Sequence, residues 1–192
     1  MKTLLRCAIL GGLIVFLWGT FSWTVLPWHQ NSFKQFKNEE KVANAIRENA
    51  VEEGIYLLPS MFAYDKHESK GESKQRAAEG KDKMMRGPVM FASIKPFGID
   101  PNLARPMFVG VLLNMVGAFL ISWIVSKIKS DFWGYTGYVT LIGVIVGILS
   151  FFPEWNWWNF PLSYAMVGLM DLLIGWFLAG MFIARFLSKR AI

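Results

Sequence analysis

Asp171 is the side chain best placed to do chemistry. It is the only acidic residue deep within any of the long apolar runs of this chain, about two turns into the last of them. An aspartate at the centre of a membrane helix costs about 3 kcal/mol on insertion scales, so it must be paired, protonated or turned towards a polar interior. Asn114 lies at a similar depth in the second run, Thr20 and Ser22 in the first, and Thr140 in the third. These five predict one intramembrane polar cluster. Its uses are interhelical hydrogen bonding, contact with a polar or basic group of another subunit, or a proton or ion path. A path needs several ionisable groups in series, and Asp171 has no second acid at its depth.

The second group is interfacial. His29 follows Pro27-Trp28 at the edge of the first run, and Glu154 with Trp155, Trp157 and Trp158 sits between the third and fourth. Indole rings favour the headgroup level, with an apolar body and one N–H for a polar partner. Trp18 and Trp23 add to the belt, which would also serve as a platform for a lipid or quinone headgroup. His29 and His67 are the only histidines and Cys7 the only cysteine. A structural or catalytic metal wants three or four protein ligands at workable spacing, and no His-x-x-x-His pair exists, so no metal is expected. There is no Gly-x-Ser-x-Gly elbow, His-Glu-x-x-His, phosphate-cradling loop or dinucleotide fingerprint. No catalytic residue and no cofactor is assigned, and an enzyme is disfavoured.

The elements that must position these residues are the runs Leu4–Trp28, Pro106–Ile128, Phe132–Phe152 and Leu162–Leu187. Each reaches the roughly 20 mostly apolar residues needed to cross about 30 Å of hydrocarbon. The expected fold is a four-helix membrane bundle with a small α+β extracytoplasmic domain inserted between helices 1 and 2. The expected boundaries are 1–28 for the first span, 29–105 for the inserted domain and 106–192 for the remaining three spans. The first run is too long, and lacks a small-x-small site near Trp18–Trp28, to be a cleaved signal peptide. It is read as a retained signal anchor.

Of 192 residues 54% are hydrophobic, and the net charge is +6. That charge does not point to nucleic acid, because residues 29–105 hold 13 basic and 11 acidic side chains and are nearly balanced. Lys2, Arg6, Lys127, Lys129, Arg185, Lys189 and Arg190 flank the spans instead. Basic residues in short loops favour the cytoplasmic side, whereas a loop above about 60 residues crosses regardless of charge. Both termini and the loop 126–131 are therefore expected in the cytoplasm of a bacterium, and 29–105 and 153–161 outside its inner membrane. Cys7, near the inner surface, is expected to be an inert buried thiol.

Within 29–105, Asn38 reads as the cap of a helix, with Glu39 and Glu40 in its first turn and Val42, Ala45 and Ile46 on one face. Ile55–Leu58 and Val89–Lys95, bounded by prolines, read as paired strands, with Ser32–Phe36 a possible third. Residues 65–86 are rich in Lys, Glu, Ser and Gly. They are expected to be a mobile charged loop, with a solvated helix through Ser69–Met85 as the alternative. Glycine and alanine four residues apart, at Gly143 and Gly147, at Gly175 and Ala179, and at Gly180 and Ala184, let helices approach closely in lipid.

One span, a large outer loop and three closely connected spans is a layout similar to claudin-like proteins and FtsX-like permeases. The outer loop lacks the paired cysteines of the former, and the short inner loop offers little for the latter's ATPase to grip. Leu26-Pro27-Trp28-His29, Tyr56-Leu57-Leu58-Pro59, Gly87-Pro88 and Asn156-Trp157-Trp158 resemble the landmarks of a group of small bacterial inner-membrane proteins without an assigned activity. That resemblance implies an architecture and puts the working surface on the outer face.

Small-residue helix faces, a buried acid in want of a partner and an outer domain with little core together predict a non-catalytic subunit or assembly factor of a larger membrane complex. Its expected partners are other membrane subunits and the lipid bilayer, with a homo-oligomer possible and no nucleic acid. The alternatives are a small transporter or channel through Asp171 and Asn114, and an enzyme acting on lipid or quinone at the outer face. The last would require His29 and Glu154 to meet.

Overall fold

The four apolar runs become four long helices, each apolar and long enough to cross a membrane. The computed structural model describes residues 1–60 and 69–190. The spans are α1 (Lys2–Val25), α4 (Ala104–Val125), α5 (Phe132–Trp158) and α6 (Leu162–Leu187). Between α1 and α4 lie α2 (Glu39–Asn49), β1 (Gly54–Leu58), α3 (Lys70–Arg86) and β2 (Met90–Ile94), with one-turn 3-10 helices at Gln30–Ser32 and Ser188–Arg190. The chain forms two compact units, Met1–Lys34 with Asn102–Ile192, and Gln35–Pro101.

In the first unit α6 packs against α5 and α1, and α1 packs against α4. The core is Cys7 and Val15 of α1, Ala118, Ile121 and Val125 of α4, Tyr135 and Val139 of α5, and Trp176, Ala179, Ile183, Ala184 and Leu187 of α6. Small residues set the spacing, because lipid supplies no hydrophobic drive between helices and tight contact must hold them. A Cβ on Gly12 would come within 2.5 Å of the Met115 Cα, so α1 and α4 touch backbone to backbone. Gly143 receives the Trp176 side chain, Gly147 receives Leu169, and Gly168 lies under the Phe151 ring.

The α1–α6 seam is antiparallel and layered. Gly11 meets Ile183, and Gly175 meets Trp18 and Val15. The next layer, one turn on, pairs Ser22 with Asp171. Ser22 is four residues beyond Trp18, and Asp171 four before Gly175, so both pairs occupy the same helix faces.

One expectation for the spans is corrected. The third run does not end at Phe152, since α5 continues through Pro153 to Trp158. It stops where Asn159 turns left-handed (φ 56°) and Pro161 follows two residues later. Asparagine tolerates that conformation better than most side chains, and proline cannot continue the helix. At the other end of α5, the Asp131 side chain caps Gly134 N–H at 2.7 Å and Tyr135 Oη donates to the Ile128 carbonyl, closing the α4–α5 turn.

In the second unit Asn38 Oδ1 accepts from Lys41 N–H at 2.9 Å and starts α2. Val42, Ala43 and Ile46 are half-buried, while Ala45 is exposed. β1 and β2 pair antiparallel from Gly54 opposite Ile94 to Leu58 opposite Met90. Among the described residues the sheet has these two strands, and the suggested third at Ser32–Phe36 is not one of them. Of the stretch expected as a mobile loop, 69–86 is instead the cap and the whole of α3, and 65–68, with His67, lie outside the described residues. The reason is a capping box. Ser69 Oγ accepts from Glu72 N–H while Glu72 Oε2 accepts from Ser69 N–H at 2.8 Å. Hydrogen bonding from the Ser69 side chain and then from its backbone N–H holds the Glu72 carboxyl below its usual range, and the box satisfies two otherwise orphan helix donors. Lys95, 2.6 Å from Glu53, likewise holds that carboxyl low by hydrogen bond and charge.

The close approach at Gly12 has a direct consequence. Gly12→Ala drives a methyl into the Met115 backbone, which cannot rotate away, and is expected to cost about 1–3 kcal/mol. Gly137→Ala meets nothing within 4 Å and is expected to be neutral or to stabilise by up to about 1 kcal/mol through helix propensity. Thermal unfolding in detergent compares the two, and equal melting temperatures would contradict the packing described.

Candidate functional site

The site begins with how α1 ends. Leu26 precedes Pro27, and the residue before a proline is pushed out of the helical region. Leu26 is accordingly extended (ψ 136°), with its N–H still bonded to the Ser22 carbonyl. The chain then turns sharply. Asn31 N–H bonds back to the Pro27 carbonyl and Ser32 N–H to that of His29. This reversal returns the Trp28 and His29 side chains to Ser22, which is fully buried on α1. Asp171 arrives from α6.

Four side chains meet there. Ser22 Oγ donates to Asp171 Oδ1 at 2.5 Å. His29 Nε2 lies 2.8 Å from Asp171 Oδ2 and 3.0 Å from Ser22 Oγ. Trp28 Nε1 donates to Ser22 Oγ at 2.8 Å. The protons can be assigned by accounting. Indole N–H only donates, so Ser22 Oγ accepts it and spends its own proton on the carboxylate. His29 Nε2 faces a carboxylate oxygen, so it carries a proton and donates. Asp171, with 15% of its side chain exposed, thus receives two hydrogen bonds of the charge-assisted kind, each worth about 1.5–3 kcal/mol. That is enough to offset the cost of the acid at this depth.

Ser, His and Asp in contact invite comparison with a hydrolytic triad, and the geometry rejects it. In a triad one imidazole nitrogen takes the serine proton and the other donates to aspartate. Here a single nitrogen, Nε2, faces both partners, and the serine proton points at the acid. Ser22 has no imidazole base. What the arrangement does is tie the end of α1 and its following turn to α6.

A pocket of about 60 Å³ opens beside this knot, lined by Trp23, His29, Phe33, Phe151, Tyr164 and Asp171 among others. Trp23 stacks on the His29 ring, centroids 3.9 Å apart and planes within 15°. Phe151 meets Tyr164 edge-on at 6.0 Å.

Of the five residues expected in one polar cluster, the structure joins Ser22 and Asp171. The other three bond to their own helices: Thr20 Oγ1 to the Phe16 carbonyl, Asn114 Nδ2 to Gly110 and Thr140 Oγ1 to Thr136, each between 2.8 and 2.9 Å. A hydroxyl or amide that returns its proton to the preceding turn needs no partner on another helix, which is why depth alone misgrouped them. His29 pairs with Asp171 and not with Glu154, the residue an outer-face enzyme would require it to meet. Glu154 is not among the residues lining the pocket, and its buried Oε2 has no hydrogen-bond partner. Trp155, Trp157 and Trp158 are exposed on the last turns of α5. Gly143, Gly147, Gly175 and Ala179 are all buried at helix contacts. Among the described residues no three His, Cys, Asp or Glu side chains gather as a metal site. The sequence signal for the knot was Pro27. A proline just past a serine at the end of a span turns the chain back, and the next two residues are the ones that return.

Comparison with protein-family models, with curated proteins and with solved structures finds no match to this chain. Function therefore has to be argued from its own residues.

The knot predicts energetic coupling between turn and helix. In a cycle of His29→Ala, Asp171→Ala and the double variant, the coupling energy is expected at about 0.5–3 kcal/mol. Equilibrium unfolding in mixed micelles measures it, and strictly additive effects would refute the bond.

Proposed function

We propose that this chain is a non-catalytic integral subunit or assembly factor of a larger bacterial inner-membrane complex. It would work by presenting the unit Gln35–Pro101 to a partner subunit on the extracytoplasmic side. The orientation rests on Lys2, Arg6, Lys127, Lys129, Arg185, Lys189 and Arg190, which four spans place on one side of the membrane, the side that basic short loops favour being cytoplasmic. The acid no longer supports this reading, because Asp171 finds its partners within the chain.

The observation that carries it is how few residues are buried among the described residues of Gln35–Pro101. No residue of α2 is buried, and in α3 only Gly80 is. The buried hydrophobic residues of the unit, among those described, are Ala50 and Ile94. Large apolar side chains face outward instead, with Phe97 88%, Val51 84% and Met85 81% exposed. A two-stranded sheet is marginal by itself and needs a covering layer. Exposed apolar surface beside such a sheet is the signature of an interface. Val51 and Phe97 line one cleft together with the Glu53–Lys95 ion pair, so an apolar contact accompanied by charges is the expected form of the docking.

Purification in mild detergent from native membranes is expected to recover another multi-span protein at fixed stoichiometry. Replacing Phe97 and Val51 by glutamate should abolish that recovery while leaving α1, α4, α5 and α6 folded by circular dichroism. A monomer or homo-oligomer free of other proteins, or a partner retained by the double variant, contradicts the proposal.

A further inference from the structure

The pocket at the knot has a composition of its own. Its walls are aromatic: Trp23, Phe33, Phe151 and Tyr164. Its charged floor is Asp171, and no lysine or arginine lines it. A carboxylate has about four lone-pair sites. Ser22 and His29 fill two, which leaves acceptor capacity on the side chain that borders the cavity. Ser32 also lines the pocket, and the long bond from its Oγ to the Trp28 carbonyl (3.4 Å) leaves that oxygen able to accept.

We propose that this pocket binds a primary ammonium group. An anion would meet Asp171. A purely apolar group would leave the carboxylate's free lone pairs without donors. A metal ion of the calcium or magnesium type wants about six oxygen ligands, and aromatic walls do not provide them. An ammonium satisfies each feature. It donates to Asp171 and Ser32, and its charge lies against ring faces, an arrangement that recurs in cages for amines. The volume, about 60 Å³, suits a head of this size, since one water needs roughly 10–15 Å³ on the same measure.

Access fits as well. Tyr164 stands in the first turn of α6 and Asp171 two turns deeper, so the pocket spans about 10 Å along the helix from its end. An amine can enter from the polar boundary of the spans. The ammonium belongs either to a lipid headgroup such as ethanolamine or to a small free amine. The pocket lies wholly within the unit Met1–Lys34 with Asn102–Ile192, so the proposal stands apart from the docking role of Gln35–Pro101.

The test has two arms on the full chain. In the first, isothermal titration of the detergent-purified protein compares ethanolamine with ethylene glycol, its uncharged analogue. In the second, native mass spectrometry from vesicles of phosphatidylethanolamine and phosphatidylglycerol counts the retained lipids. Selective ethanolamine binding assigns a free amine, and selective retention of phosphatidylethanolamine assigns the lipid. In either case Asp171→Asn should weaken binding by at least about tenfold. Trp23→Leu, which keeps the carboxylate, should weaken it by about five- to thirtyfold. The Trp23 variant carries the test if Asp171→Asn fails to fold. No selectivity for the charged head in either arm, or binding untouched by Trp23→Leu, overturns the proposal.

Discussion

A carboxylate two turns inside an apolar helix is the constraint around which the membrane unit is organised. Hydrocarbon offers it no donors, so the protein has to supply them. Ser22 and His29 supply them, and Trp28 completes the valence of Ser22. None of these three is on the same helix as Asp171. Pro27 ends α1, and satisfying one acid then fixes how the following turn is held and which face of α6 looks at α1. The same accounting sets the site apart from a hydrolytic triad, because the serine proton is directed at the acid and not at the imidazole.

Short side-chain bonds of this kind require helices that come close, and glycine supplies the approach. Gly175 takes the Trp18 ring one turn from the Ser22–Asp171 contact, and Gly12 brings α1 onto the backbone of α4. A larger residue at Gly175 would push α1 outward and stretch the hydrogen bond in the adjacent layer. Packing and polar chemistry are thus one seam. The unit Gln35–Pro101 follows another logic. It has an Asn38 cap, a Ser69–Glu72 capping box and a five-pair antiparallel ladder, and among its described residues few apolar side chains are buried.

The spans were legible because about 20 apolar residues in a row have few alternatives, and Asn38 and the proline-bounded strands were legible from equally local rules. The failures were also physical. Residues 69–86 looked too charged to order, yet Ser69-Lys70-Gly71-Glu72 spells a capping box, and a capped, solvated helix needs no buried face to be written in sequence. Pro153 read as a stop, although the stop is Asn159 with Pro161 behind it. Asp171 was conspicuous, but hydroxyls at its depth were poor guides to its partners, because a threonine or serine in a helix can always bond the turn before it. His29 was placed with Glu154 by proximity to the interface, where its true partner was an acid one helix pair away. Only the reversal at Pro27 could have revealed that.

The central claim is that His29 donates from Nε2 to Asp171 and leaves Ser22 without an imidazole base. Nitrogen-15 NMR of the histidine-labelled protein in micelles reads the tautomer directly. The account predicts a protonated Nε2 whose resonance shifts on Asp171→Asn. A bare Nε2, with the proton on Nδ1, would contradict it and turn Ser22 back into a candidate nucleophile.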